Sequence, residues 1–122
     1  MNLEFTKKFS PQVKTQIEEY LAGERKTFNT DIEIEGTEFQ KKVWRALSDI
    51  PYGETRTYKQ IAESIGHPKA CRAVGTACGA NKFPIVIPCH RAVASSGLGG
   101  FIFGLELKQE LLDLEQPVLR NS

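Results

Sequence analysis

A chain of 122 residues is long enough for one small domain with a modest core of its own. With 40% hydrophobic and 25% charged residues it lies close to globular averages, which excludes wholesale disorder, and no apolar run reaches the length of a bilayer span. The net charge of +1 conceals an uneven distribution: residues 56–91 hold six Lys or Arg against Glu63 alone, whereas residues 1–55 hold eight against ten acidic residues and the remainder two against four. A basic middle third suits a polyanion, although an ordinary solvated face looks the same at this level.

The opening MNLEFTKKFS lacks the apolar core of a signal peptide, so a cytoplasmic, nucleoid-associated location is expected. SPQVKTQIEEYLAGE predicts a helix with Ser10 as N-cap, Pro11 at the first helical position, Gly23 as the stop, and Val13, Ile17, Tyr20 and Leu21 as its apolar stripe. In FNTDIEIEG, Ile32 and Ile34 alternate with acidic residues, which fits a short half-exposed strand or an extended linker ending at Gly36. TEFQKKVWRALSDIP predicts a second helix, with a capping box of Thr37 and Gln40 and with Phe39, Val43, Trp44 and Leu47 inward; Trp44 reads as core.

From Thr57 a short helix, a turn at Gly66 and another helix starting near Pro68 outline a helix-turn-helix. The second of these helices carries Ala70, Ala73, Gly75, Ala77 and Gly79, small enough for close approach to another surface or for tight packing inside the protein. Lys69 and Arg72 on the same element tilt the reading towards phosphate or base contact. NKFPIVIPCHRAV reads as a buried extended segment, and ASSGLGGFIFG as a flexible glycine-rich wall with no phosphate-loop signature. LELKQELLDLEQP predicts a closing amphipathic helix that buries Leu105, Leu107, Leu111, Leu112 and Leu114 and stops near Pro117.

The cysteines at 71, 78 and 89 are odd in number, and their spacings of seven and eleven match no zinc template, so reduced thiols are expected. A thiol with a free pKa of about 8.5 is a nucleophile only as thiolate, and a base must take its proton. His90 follows Cys89 directly, but neighbours on an extended chain point to opposite faces, so contact requires a turn or a bridging water. Taken alone, IPCHRAV reads by default as a buried inert cysteine rather than a nucleophile.

The segments GTEFQKKVW, IPYGETRTYKQIA, PKACRAVGTACGAN, IPCHRAV and GLELKQELLDLE together resemble, in order and spacing, the O6-alkylguanine-DNA alkyltransferases, or methylated-DNA-protein-cysteine methyltransferases, over residues 36–115. The resemblance implies a mainly α fold with minor strand content: a winged helix-turn-helix alkyltransferase domain at 36–117, preceded by a reduced N-terminal segment at 1–35 and followed by a tail at 118–122. It implies direct, irreversible, single-turnover transfer of an alkyl group from O6-alkylguanine in duplex DNA to Cys89. His90, acting through water, would be the base, oriented by Glu115, which requires a lowered Cys89 pKa; Asn81 would brace the turn before the active-site segment. Arg72 would fill the space left by the flipped base, Tyr58 would crowd the target phosphate, and Lys59, Lys69, Ala70, Cys71 and Ser95 would complete the DNA face.

The resemblance further implies a monomer that needs no metal or organic cofactor and no membrane. Two departures stand out. No Cys or His precedes His67, so the zinc ligands of some N-terminal domains are missing, and Phe101 stands where many members have tyrosine. The alternatives are a non-catalytic alkyltransferase-like lesion binder, against which the presence of Cys89 speaks, and a helix-turn-helix regulator, which the small-residue helix disfavours.

Overall fold

The computed structural model describes residues 3–30 and 32–116. A 3-10 turn at Glu4–Lys8 leads into α1, Pro11–Leu21, whose start follows from its capping chemistry: Ser10 Oγ accepts from the Val13 N–H at 3.3 Å, and Pro11 occupies a position where no amide donor is missed. Val13, Ile17 and Tyr20 are buried along one face, and the chain turns away at Gly23 with φ of +78°. Residues 24–30 and 32–35 make no strand pairing, so the alternating isoleucines belong to an extended linker. Gln16 fastens it by a two-way amide bond, its Nε2 donating to Asn29 O at 2.8 Å and its Oε1 accepting from Asn29 N at 3.0 Å.

Helix α2, Glu38–Ser48, opens on the expected capping box of Thr37 and Gln40 and buries Val43, Trp44 and Leu47. The same reciprocal cap, Thr57 with Gln60, starts α3, Tyr58–Ser64. Helix α4 runs from Cys71 to Gly79, three residues later than the Pro68 start expected, because the Ala70 N–H closes a turn onto His67 O at 2.9 Å and only then does the helical ladder begin. Helices α2, α3 and α4 pack on one another as a three-helix unit whose last two members form the helix-turn-helix. Trp44 reaches across it, its indole N–H donating to Ala77 O at 2.9 Å.

Strand content is minor: β1, Arg56–Thr57, pairs in parallel with β2, Ala92–Val93. Between α4 and β2 the chain is buried but not extended, which corrects the sequence reading. Pro84 and Pro88 remove two ladder donors, Ile85 adopts a left-handed φ of +76°, and Cys89–Arg91 coil into a 3-10 turn. Helix α5, Leu105–Glu115, buries Leu107, Leu111 and Leu112, but Leu105 is 49% exposed and Leu114 half-buried; Lys108 and Glu115 take the inward face in their place. Pro117 and the 118–122 tail lie outside the described residues.

Two apolar clusters result, one beneath the helix-turn-helix and one between α1 and α5, with Ile32, Phe83 and Phe101 packed against both. The segment carrying Cys89 and His90 runs along this seam. No described helix is long and apolar enough to cross a membrane. Trp44→Phe is expected to cost about 2 kcal/mol, through lost volume and the loss of the indole bond to the Ala77 carbonyl, which keeps its bond from the Ala80 N–H at 3.1 Å, as read by urea unfolding; an unchanged midpoint would remove Trp44 as the tie between α2 and α4.

Candidate active site

Cys89 is 3% exposed at the start of its 3-10 turn and lines a cleft of about 390 Å³ together with Tyr58, Arg72, Gly75, Thr76, Cys78, Gly79, Gly100, Phe101 and Ile102. Its turn is held from behind by Asn81, whose Nδ2 donates to Ile87 O at 2.9 Å while its Oδ1 accepts from Phe83 N at 2.9 Å. These two bonds span a segment in which Ile85, a β-branched residue, is buried in the left-handed region, a conformation that costs about 1–3 kcal/mol and persists only where the surroundings over-determine it.

The lowered Cys89 pKa expected from the relay is not what the structure shows. Burial pushes the thiol up, and a hydrogen bond from Asn81 and the Lys108 ammonium only partly offset it. The resting group is therefore a protonated thiol, and any role as a nucleophile requires a base to take its proton. Cys78 in the same cleft is pushed up to about 12 by burial and by Cys89, which leaves it a poor nucleophile.

His90 is fully buried, with Nε2 at 2.7 Å from Glu115 Oε2. Glu115 also accepts from Arg91 Nε at 2.8 Å and Arg91 Nη2 at 2.9 Å in a two-pronged pair, from the Tyr20 hydroxyl at 2.5 Å, and from the Gly53 N–H at 3.3 Å. Burial works against its charge, but the bonds from His90 and Arg91 win and bring the carboxyl down to about 2. A carboxylate can only accept, so the proton in the His90–Glu115 bond sits on Nε2, and Nδ1 carries the lone pair. Burial also lowers the His90 pKa, against the pull of Glu115, which keeps the ring neutral near pH 7. Nδ1 is buried without a protein partner, and no hydrogen bond among the described residues joins Cys89 to His90.

The cleft wall is pinned. Lys108 is fully buried, and its ammonium donates to Ala92 O, Leu98 O and Gly100 O at 2.6, 2.6 and 2.9 Å. Tyr58 joins the same loop through its hydroxyl, which accepts from Gly100 N at 3.1 Å. Gly99, at φ of +75°, leaves room for that ring, since a Cβ there would come within 2.6 Å of the Tyr58 oxygen. The glycine-rich segment is thus the wall expected from sequence, tied down by a buried cation rather than flexible.

Of the residues assigned to the DNA face, Arg72 and Tyr58 line the cleft with Cys89, Arg72 being exposed. Lys59, Lys69, Cys71 and Ser95 are exposed and Ala70 half-buried, and none of these five lines the cleft. The small residues of α4 serve both ends weighed for them: Ala77 packs inward beneath Trp44, while Gly75 and Gly79 border the cleft. Sequence reasoning missed Tyr20, Arg91 and Lys108. Two of them had a readable signal: Tyr20 falls on the stripe of Val13 and Ile17, and Lys108 on that of Leu111, Leu112 and Glu115, where a solvated polar group would not be placed.

Residues 38–117 match the DNA binding domain of 6-O-methylguanine DNA methyltransferase. A methylated-DNA–protein-cysteine methyltransferase of Methanosarcina barkeri is 52% identical over 115 residues, covering 93% of this chain and 73% of that protein. The crystal structure of Mycobacterium tuberculosis OGT in complex with DNA superposes with a TM-score of 0.84 at 46% identity, covering 86% of this chain; this chain spans 65% of that one. S. pombe Atl1, in complex with damaged DNA containing O6-carboxymethylguanine, superposes with a TM-score of 0.59 at 32% identity, over 67% of this chain and 79% of that one. The chain belongs to the O6-methylguanine DNA methyltransferase family.

Proposed function

We propose that this protein repairs DNA by moving the alkyl group of an O6-alkylguanine in duplex DNA onto Cys89, once per molecule. The observation that carries the reading is the buried His90–Glu115 pair next to a cysteine that opens into a cleft bordered by the helix-turn-helix. In the reaction the Cys89 S–H bond breaks, its proton passes through water to His90 Nδ1, and the sulfur attacks the alkyl carbon in line with the C–O6 bond. A C–S bond forms, the C–O6 bond breaks, and the departing guanine takes its ring proton from water while the imidazolium returns the Cys89 proton to water, so alkylated base and thiol become guanine and thioether. The imidazolium formed on the way is stabilised by Glu115, already ionised and held by Arg91. A thioether offers no easy return, so each chain acts once.

Asn81 holds the turn that presents the sulfur. DNA enters through the basic middle third of the chain, and the target base must leave the stack to reach a cysteine that is 3% exposed. Arg72, exposed at the edge of the cleft, takes the vacated position in this reading, with Tyr58 on the same cleft and Lys59, Lys69, Ala70, Cys71 and Ser95 as further contacts outside it. The protein acts as a monomer on nucleoid DNA in the cytoplasm. Retention of the cysteine and the closer superposition on OGT, 0.84 against 0.59 for Atl1, favour transfer over lesion binding alone.

After mixing with O6-methylguanine duplex, intact-mass analysis should show one added methyl group per chain, mapping to Cys89, and Cys89→Ser should bind the duplex without gaining mass. Methyl on Cys71 or Cys78, or continued turnover by sub-stoichiometric protein, would contradict the assignment. The flipping role of Arg72 is separable, because free O6-benzylguanine enters the cleft without unstacking, a step that costs a few kcal/mol in duplex DNA. Arg72→Ala should slow duplex repair by about tenfold or more and leave the free-base reaction within about twofold. Equal losses on both substrates would place Arg72 in the fold or the chemistry instead.

A further inference from the structure

The family match begins at residue 38, yet the carboxylate that orients His90 is also held from outside it. Tyr20 on α1 is fully buried, with its ring against Phe28 and Tyr52 at centroid distances of 5.6 and 6.1 Å. Its hydroxyl donates to Glu115 Oε2 at 2.5 Å and lies 3.5 Å from His90 Nε2. Three donors therefore converge on this one oxygen: His90 Nε2, Arg91 Nη2 and the Tyr20 hydroxyl. Filling the space between α1 and α5 would need only a phenyl ring, whereas the hydroxyl is a polar atom carried into the core and aimed at the single acceptor that His90 uses.

We propose that Tyr20 is a positioning residue for alkyl transfer, fixing Glu115 Oε2 against His90 and limiting how strongly that oxygen pulls on the imidazole. The inference rests on the alkyl-transfer reading and extends it, making the N-terminal helix part of the reactive centre. The physical basis is competition: every hydrogen bond given to Oε2 by Tyr20 or Arg91 withdraws charge that would otherwise stabilise an imidazolium. Burial and Glu115 both push the Tyr20 phenol far up, so it stays a donor and takes no part as a base. The other charged or titratable groups that bear on the pair are Arg91 from the Cys89 turn, Lys108 from α5 and Tyr52 from the segment after α2. Of these, Arg91 is committed to Glu115 and to Ile50 O, Lys108 to three carbonyls, and Tyr52 to Leu114 O, so Tyr20 is the donor that can be removed with the least rearrangement.

The test uses the full chain with Tyr20→Phe, and Ile17→Val on the same helix as the packing control. Single-turnover transfer from free O6-benzylguanine and from methylated duplex is followed against pH, and the His90 ring is titrated by NMR in the free protein. Tyr20→Phe should slow both substrates alike, by about tenfold near pH 7, the size expected for one hydrogen bond to a charged group, without weakening duplex binding. The acid limb of the rate profile and the His90 titration should both move to higher pH, since His90 must be neutral to accept a proton and the freed carboxylate favours its charged form. Ile17→Val should move neither. An unmoved titration in folded Tyr20→Phe, or an equal shift in Ile17→Val, would overturn the proposal. Should Tyr20→Phe fail to fold, 3-fluorotyrosine labelling of the unmutated chain, which makes the phenol a stronger donor, should move the His90 titration to lower pH; no movement would overturn the proposal as well. If the unmutated chain transfers no alkyl group, the alkyl-transfer reading fails, and the free-protein titration still decides what Tyr20 does.

Discussion

One buried carboxylate organises this molecule. Glu115 lies at the end of α5 in the seam between two apolar clusters, and it is ionised there only because Arg91, His90, Tyr20 and Gly53 all donate to it. Those donors come from α1, from the segment after α2, and from the Cys89 turn, so satisfying a single charge brings four parts of the chain to one point. Such a pair is weak evidence of net stability, because desolvation consumes most of the Coulombic gain, but removing one partner leaves a buried charge uncompensated at a cost of about 3–5 kcal/mol. The network fixes the geometry of His90, with Nε2 bonded to Glu115 and the Nδ1 lone pair uncommitted.

The second buried cation does for the cleft what Arg91 does for the acid. Lys108 gathers three carbonyls from β2 and the glycine-rich wall, and Tyr58 closes on the same loop at Gly100. The nucleophile therefore faces a wall already ordered before any base arrives, with the Lys108 charge favouring thiolate while burial opposes it. The opposition has a chemical use. A thiol protonated at rest is protected from stray electrophiles and oxidants, and in the proposed reaction it becomes reactive as His90 takes its proton.

Much of this was legible in the sequence where one local rule decides the outcome. Ser10 with Pro11, Thr37 with Gln40, and the stripes of α1 and α2 each carry their own capping or periodicity signal, and the structure places those elements as expected. The segment before Cys89 was misread as extended because apolar, β-branched residues imitate a strand; what decides its shape is two prolines, a left-handed Ile85 and the bonds of Asn81. Leu105 was misplaced for a related reason. The inward face of α5 goes to Lys108 and Glu115, and a charged residue is a good choice for burial only when its partners, 16 and 25 residues away for Ala92 and His90, are known to arrive. Arg91 was counted as part of a basic surface and is in fact 5% exposed, sequestered by Glu115 and Ile50. Long-range pairing is the information a one-dimensional reading lacks.

The central claim is that the Glu115 network holds His90 neutral, with its proton on Nε2 and a free lone pair on Nδ1. Nitrogen-15 NMR of the imidazole in the free protein at pH 7 tests this most directly, because the two ring nitrogens shift far apart according to which carries the proton. The account predicts a protonated Nε2 and a bare Nδ1; a proton on Nδ1, or an imidazolium with both nitrogens protonated, would contradict it.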